Sequence, residues 1–191
     1  EVMENSKDSS KDSKEATEES EEIEKTEQSD EDDLDMKRLR KAGNLYIKYL
    51  KSISPHIPSI TNVKMLSNFQ IKFIYALKIL GAMDVVRQSL KIDEQKCLDS
   101  LFEHYNNPDL FSWSLDEAEA VFNLAMNAQG EEWAEKIIVG GGNAYTYILK
   151  NAHKDKKDLE VSEREHFLPS IHIFEDKELM KLVAKNVEIP F

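Results

Sequence analysis

The fold is decided by residues 61–86, which read TNVKMLSNFQIKFIYALKILGAMDVV. From position 65 to position 86, 15 of the 22 residues are apolar. On a helix that turns by about 100° per residue, five polar side chains fall within an arc of roughly 140°. These side chains are Lys64, Ser67, Asn68, Lys72 and Lys78. So narrow a polar stripe is typical of a helix that is buried on most of its circumference, and it predicts the central helix of an all-α domain.

The same stretch is long enough to raise the question of a membrane span, which takes about 20 mostly apolar residues. Lys64, Lys72 and Lys78 disfavour a span, because a lysine near the centre of a bilayer costs about 2.5–3.5 kcal/mol. We therefore predict a core helix and no transmembrane segment. Thr61 is predicted to be the N-cap of this helix. Gly81 is predicted to end the helix or to mark a bend in it.

The net charge of −12 is confined to the N-terminal segment. Residues 1–35 hold 16 acidic residues and 4 lysines, whereas residues 36–191 hold 21 acidic and 21 basic residues. Residues 1–35 also contain only five apolar residues and no aromatic one. Such a segment cannot bury enough apolar surface to offset the entropy of the chain. We predict a disordered acidic tail over 1–35 and a single globular domain of about six or seven helices over 36–191.

The acidic tail admits two interpretations. It can be a self-repelling, solubilising segment, or it can be an arm that attracts a basic protein partner over a distance. Under the second interpretation, the partner-binding residues are the acids of its two densest runs. They are Glu18, Glu19, Glu21, Glu22, Asp30, Glu31, Asp32 and Asp33.

Helical spacing continues on both sides of the central stretch. Before it, residues 36–53 place five apolar or small residues at intervals of three and four, which marks one helix face. They are Leu39, Gly43, Tyr46, Leu50 and Ile53. After it, Ser114 and Glu117 have the spacing of a capping box, Gly130 is predicted to end the helix that follows, and residues 175–186 are predicted to form the last helix.

Gly140, Gly141 and Gly142 form the only run of glycines in the chain. A phosphate-cradling loop would need a GxGxxG or Gly-Lys-Ser/Thr pattern, and neither is present. We predict instead that the three glycines make the corner of an αα-hairpin, with Asn143 as the N-cap of the second helix.

No pattern in the sequence predicts catalysis, a metal or a cofactor. None of the five histidines pairs with another at metal-binding spacing, and Glu163 and His166 form a single Glu-x-x-His where a di-metal bundle needs two.

Cys97 is the one cysteine, so no intramolecular disulfide forms, and we predict that it is a buried, inert thiol. The basic run MKRLRK at 36–41 adjoins the acidic one, which opposes binding to nucleic acid.

We therefore expect a non-enzymatic interaction protein. Its helical domain would bind a protein partner, and its acidic tail would assist binding when that partner is basic. One alternative is a helical carrier of a small apolar ligand, and another is an intracellular acidic adaptor that resembles a histone chaperone in function. Glu1 stands where an initiator methionine would be, which favours a processed, secreted protein over a cytoplasmic one.

Overall fold

The computed structural model describes residues 12–151 and 172–191, with side chains from position 27 onward apart from that of residue 151. These residues form six α-helices, two short 3-10 segments and a helical turn at 172–175, and they contain no strand. The predicted all-α fold is confirmed. The α-helices are α1 (Asp12–Ile53), α2 (Asn68–Leu90), α3 (Glu94–Tyr105), α4 (Leu115–Ala128), α5 (Glu132–Asn151) and α6 (Lys177–Asn186). The 3-10 segments are Ser54–Ser59 and Thr61–Met65.

Helix α2 is the centre of the domain, as predicted. Every residue from Phe73 to Met83 is buried, and α1, α3, α4 and α5 all pack against this helix. Its predicted start was wrong. Ser67 is the N-cap and forms a capping box with Gln70, because Thr61 belongs to a 3-10 segment that precedes the helix.

The contact between α2 and α5 depends on glycines. A methyl group on Gly81 would overlap the carbonyl oxygen of Ile138, and one on Gly141 would overlap the backbone of Lys78. The two helices therefore approach each other more closely than side chains would allow. Gly81 lies within α2 and does not end it, and Gly140–Gly142 lie within the continuous helix α5. The predicted hairpin corner and the Asn143 N-cap were wrong, because helix packing decides this segment and the low helix propensity of glycine does not.

The predicted inner face of α1 is confirmed. Leu39, Tyr46, Leu50 and Ile53 are fully buried, and Gly43 lies beneath the ring of a histidine on α3. The predicted boundary between positions 35 and 36 falls inside α1, which runs from the acidic stretch into the domain without a break. Residues 1–11 of the predicted tail lie outside the described residues.

The remaining helices close the core around α2. The Ser114–Glu117 capping box is present, and Gly130 has a positive φ of 91° just after α4, both as predicted. Tyr105 ends α3, and its buried hydroxyl donates a hydrogen bond to the carbonyl oxygen of Ala76 on α2 (2.7 Å). Gln70 donates through its side-chain amide to the carbonyl oxygen of Val187 (2.9 Å), which fixes the end of α6 against the start of α2.

Candidate functional site

The acidic stretch has an outer face on α1. Glu27, Asp30, Glu31 and Asp33 are all exposed and lie within two turns of the helix. We call these four residues the acidic face. The other predicted tail residues, Glu18, Glu19, Glu21 and Glu22, also lie on α1, but their side chains are outside the described part of the structure.

The inner side of the same stretch is engaged with the domain. Asp32 and Asp35 both accept hydrogen bonds from the ammonium group of Lys96 on α3, and the Lys96–Asp35 distance is 3.4 Å. The hydrogen bond from Lys96 lowers the pKa of Asp32, and the same contact raises the pKa of Lys96. The structure thus separates the predicted run, because Asp32 is bound within the chain while Asp30, Glu31 and Asp33 are presented to solvent.

A second ion pair joins the two helices two turns further along. The guanidinium of Arg40 donates two hydrogen bonds to the carboxylate of Glu103, at 2.9 and 3.0 Å. This fork-to-fork geometry fixes both orientation and distance. The hydrogen bonds raise the pKa of Arg40 and lower that of Glu103. The contacts of Lys96 and Arg40 therefore join residues 32–40 of α1 to α3.

The acidic face carries electrostatic repulsion. Glu27 has Asp30 and Glu31 at positions three and four residues on, and Asp33 follows Asp30 by three. Like charges at these spacings destabilise a helix by about 0.2–0.5 kcal/mol for each pair. A cation bound on this face would relieve that repulsion. Leu34, which is 45% exposed, and Lys37 border the same face.

Within the described part of the chain, Ser100, His104 and Cys97 are buried groups whose chemistry a reactive site could use. The hydroxyl of Ser100 lies 3.4 Å from Nε2 of His104, but these residues are 0% and 3% exposed. Cys97 is buried as predicted, its thiol donates a hydrogen bond to the carbonyl oxygen of Met83 (3.6 Å), and burial raises its pKa to about 11. At neutral pH this thiol is protonated and therefore a poor nucleophile.

A metal-binding cluster and a membrane-spanning helix are both absent from the described residues. Over 12–151 and 172–191, no group of three or more His, Cys, Asp or Glu side chains is placed to hold a metal ion. No helix in these ranges combines the length and the apolar character needed to cross a bilayer. Glu163 and His166, the single Glu-x-x-His of the sequence, lie outside them.

Comparison with known protein families, with curated proteins and with solved structures finds no match to this chain. The case for a function therefore rests on the geometry of its own residues.

Sequence reasoning missed the partners of the acidic stretch. Asp32 and Asp35 are three residues apart, which places them on one side of a helix and was a usable signal for a shared cation. Nothing local identifies Lys96, which lies more than 60 positions away in the sequence, as that cation. Arg40 and Glu103 are likewise more than 60 positions apart, so the sequence does not identify them as partners.

Proposed function

We propose that this protein is a non-enzymatic interaction protein that binds a basic protein partner on the acidic face of α1. The observation that carries the proposal is the division of the acidic stretch into two sides. Asp32 and Asp35 bind Lys96, and Asp30, Glu31 and Asp33 point away from the domain. A purely solubilising tail would need no such attachment.

The attachment supports binding because it preorganises the acidic face. A free acidic segment must lose backbone entropy when it binds, at about 1–2 kcal/mol for each residue that becomes ordered. A segment that is already helical and fixed by Lys96 and Arg40 loses less. Its charges attract a cationic surface at long range and raise the rate of association, and salt weakens that attraction.

The test compares two variants of the full chain with the same net charge. In the face variant, Glu27→Gln, Asp30→Asn, Glu31→Gln and Asp33→Asn neutralise the acidic face. In the control variant, four exposed acids elsewhere are neutralised in the same way, namely Asp116, Glu119, Glu131 and Glu188. Each variant raises the net charge by four, so any difference between them reports the position of the charges.

The probe is a synthetic lysine- and arginine-rich helical peptide, titrated calorimetrically at low and at physiological ionic strength. Immobilised proteins are then used to capture basic proteins from the source organism, which are eluted with rising salt. We expect the face variant to lose binding and the control variant to keep it. Equal losses in both variants would show that only total charge matters, and the proposal would then be rejected.

A further inference from the structure

A second candidate site lies at the junction of α2, α3, α4 and α5, away from the acidic face. It is a cavity of about 240 Å³ between these four helices. Its lining combines apolar and polar surface in nearly equal shares, and the apolar side chains include Leu80 of α2, Met126 of α4 and Ile138 of α5. Leu80 and Ile138 belong to the hydrophobic core, so the cavity opens directly onto it.

Cys97 of α3 completes the apolar wall without adding a charge. Its side chain is buried, and its thiol hydrogen is directed to the carbonyl oxygen of Met83. The protonated thiol behaves as a small apolar group. A ligand that reaches this wall therefore meets an uncharged surface.

The rim of the cavity is charged and predominantly negative. It carries three carboxylates, from Asp84, Glu94 and Glu135, and one guanidinium, from Arg87. Arg87 donates two hydrogen bonds to Asp84 at 2.9 and 3.1 Å, and it also interacts electrostatically with Glu94, so the one guanidinium offsets part of the charge of the three carboxylates. Glu94 and Glu135 leave the rim with a net negative charge, and Glu135 also accepts a hydrogen bond from the Gly130 N–H (3.0 Å).

We propose that this cavity binds a small primary amine with a short apolar body. The ammonium group lies at the rim between the carboxylates of Glu94 and Glu135, and the hydrocarbon part contacts Leu80, Met126 and Ile138. The rim repels organic anions. Pockets for drug-sized ligands measure about 300–1,000 Å³, so this cavity accepts a molecule with a single ring or a short chain.

The first test uses three ligands of matched shape, titrated calorimetrically into the full chain. They are 2-phenylethylamine, 2-phenylethanol and 3-phenylpropanoate, which present an ammonium, a hydroxyl and a carboxylate on the same ring and a short chain. We expect the amine to bind at least about tenfold more tightly than the alcohol, a difference of roughly 1.4 kcal/mol, and the carboxylate not to bind. Equal binding of all three ligands, or of none, would reject the proposal.

The second test removes the rim charge and keeps the shape. In the variant Glu94→Gln, Glu135→Gln, the amide oxygen at position 135 can still accept the Gly130 N–H. The control is Glu119→Gln, Glu131→Gln, which changes the net charge equally at exposed positions outside the cavity. The rim variant should bind the amine no better than the alcohol, and the control should behave as wild type. A rim variant that retains its preference for the amine would contradict the assignment.

Cys97 provides an independent measure of occupancy, because it is the only cysteine and lies in the cavity wall. Because this thiol is buried and protonated at neutral pH, its modification by methyl methanethiosulfonate is slow, and the slow rate can be followed by mass spectrometry. At a concentration close to its wild-type Kd, 2-phenylethylamine should slow this modification about twofold in the wild type and clearly less in the rim variant. An unchanged rate in the wild type would place the amine elsewhere. Neither outcome affects the basic-partner proposal, which concerns a different surface.

Discussion

The Nζ atom of Lys78 lies 5.3 Å from the centre of the Phe174 ring, inside the core. Lys78 stands in the middle of α2 and is 0% exposed, although its position on the helix had assigned it to the polar stripe. Burial lowers its pKa from 10.5 to about 7, because an ammonium group is poorly solvated there. The face of the Phe174 ring offers the protonated form a partial compensation.

The lowered pKa of Lys78 makes stability depend on pH. Between about pH 7 and its usual pKa, the unfolded chain holds a proton that the folded chain has released. The free energy of unfolding should therefore rise with pH from 7 to 8.5, with a slope of up to about 1.4 kcal/mol per pH unit. Lys78→Met should abolish this rise, and Lys64→Met, at an exposed position, should preserve it. Urea denaturation at several pH values measures both, and an unchanged slope in Lys78→Met would contradict the assignment.

The close contact of α2 and α5 predicts opposite effects for two neighbouring glycines. A methyl group at Gly141 would meet the backbone of Lys78, which cannot move aside, whereas one at Gly140 would meet the flexible end of the Ile173 side chain. Overpacking costs about 1–3 kcal/mol, and replacing a helical glycine by alanine gains up to about 1 kcal/mol. Gly141→Ala should lower the melting temperature, and Gly140→Ala should change it little or raise it. Equal shifts in the two variants would show that helix propensity alone decides stability here.

Because His104 is buried, we expect the protein to lose stability in mild acid. Its ring is 3% exposed between α1 and α3, it hydrogen bonds to the backbone of Leu39, and Arg40 and Glu103 are the charged groups that act on it. Burial lowers its pKa below 6.5, so the unfolded chain takes up the proton first as the pH falls. The free energy of unfolding should be retained above about pH 6.5 and decrease as the pH falls through the lowered pKa.

His104→Gln keeps a side chain that can hydrogen bond but cannot titrate in this range. The free energy of unfolding of this variant should change less between pH 7 and pH 5 than that of the wild type. Asp32 and Glu103, whose pKa values are also lowered, act at lower pH, below the usual carboxyl range. Parallel curves for the wild type and His104→Gln over this interval would contradict the role assigned to His104.

Removing the side-chain charges of Lys96 and Arg40 should loosen one part of α1 and leave the other helices unchanged. Lys96→Gln combined with Arg40→Gln should increase amide hydrogen exchange over residues 27–40, because residues 32–40 of α1 lose the ion pairs that join them to Lys96 and Glu103 on α3. Exchange in α2 and α5 should not change. The matched control is Lys51→Gln, which removes an exposed ion pair with Asp109 at 4.0 Å. Unchanged exchange over residues 27–40 in the double variant would show that the contacts do not hold the helix.

Only part of the candidate site could be predicted from the sequence. The position of the acidic run predicted where negative charge would lie. Which acids bind Lys96 and which are exposed depends on how α1 is rotated about its axis where it packs on α3. Asp32 and Asp33 are adjacent and chemically equal, yet one binds Lys96 and the other is exposed. The sequence allowed a helical carrier as an alternative but could not locate the cavity bordered by Glu94 and Glu135, because the walls of this cavity come from four helices.

The sequence by itself determined the all-α class, the central position of α2, the buried face of α1 and the Ser114–Glu117 cap. These features depend on residues a few positions apart, whose relation is set by the geometry of one helix. Only the tertiary structure decided that Lys78 is buried and that Gly140–Gly142 lie within a helix. Both results arise where α5 packs closely on α2, and contacts between distant segments outweigh local preferences of less than about 1 kcal/mol per residue.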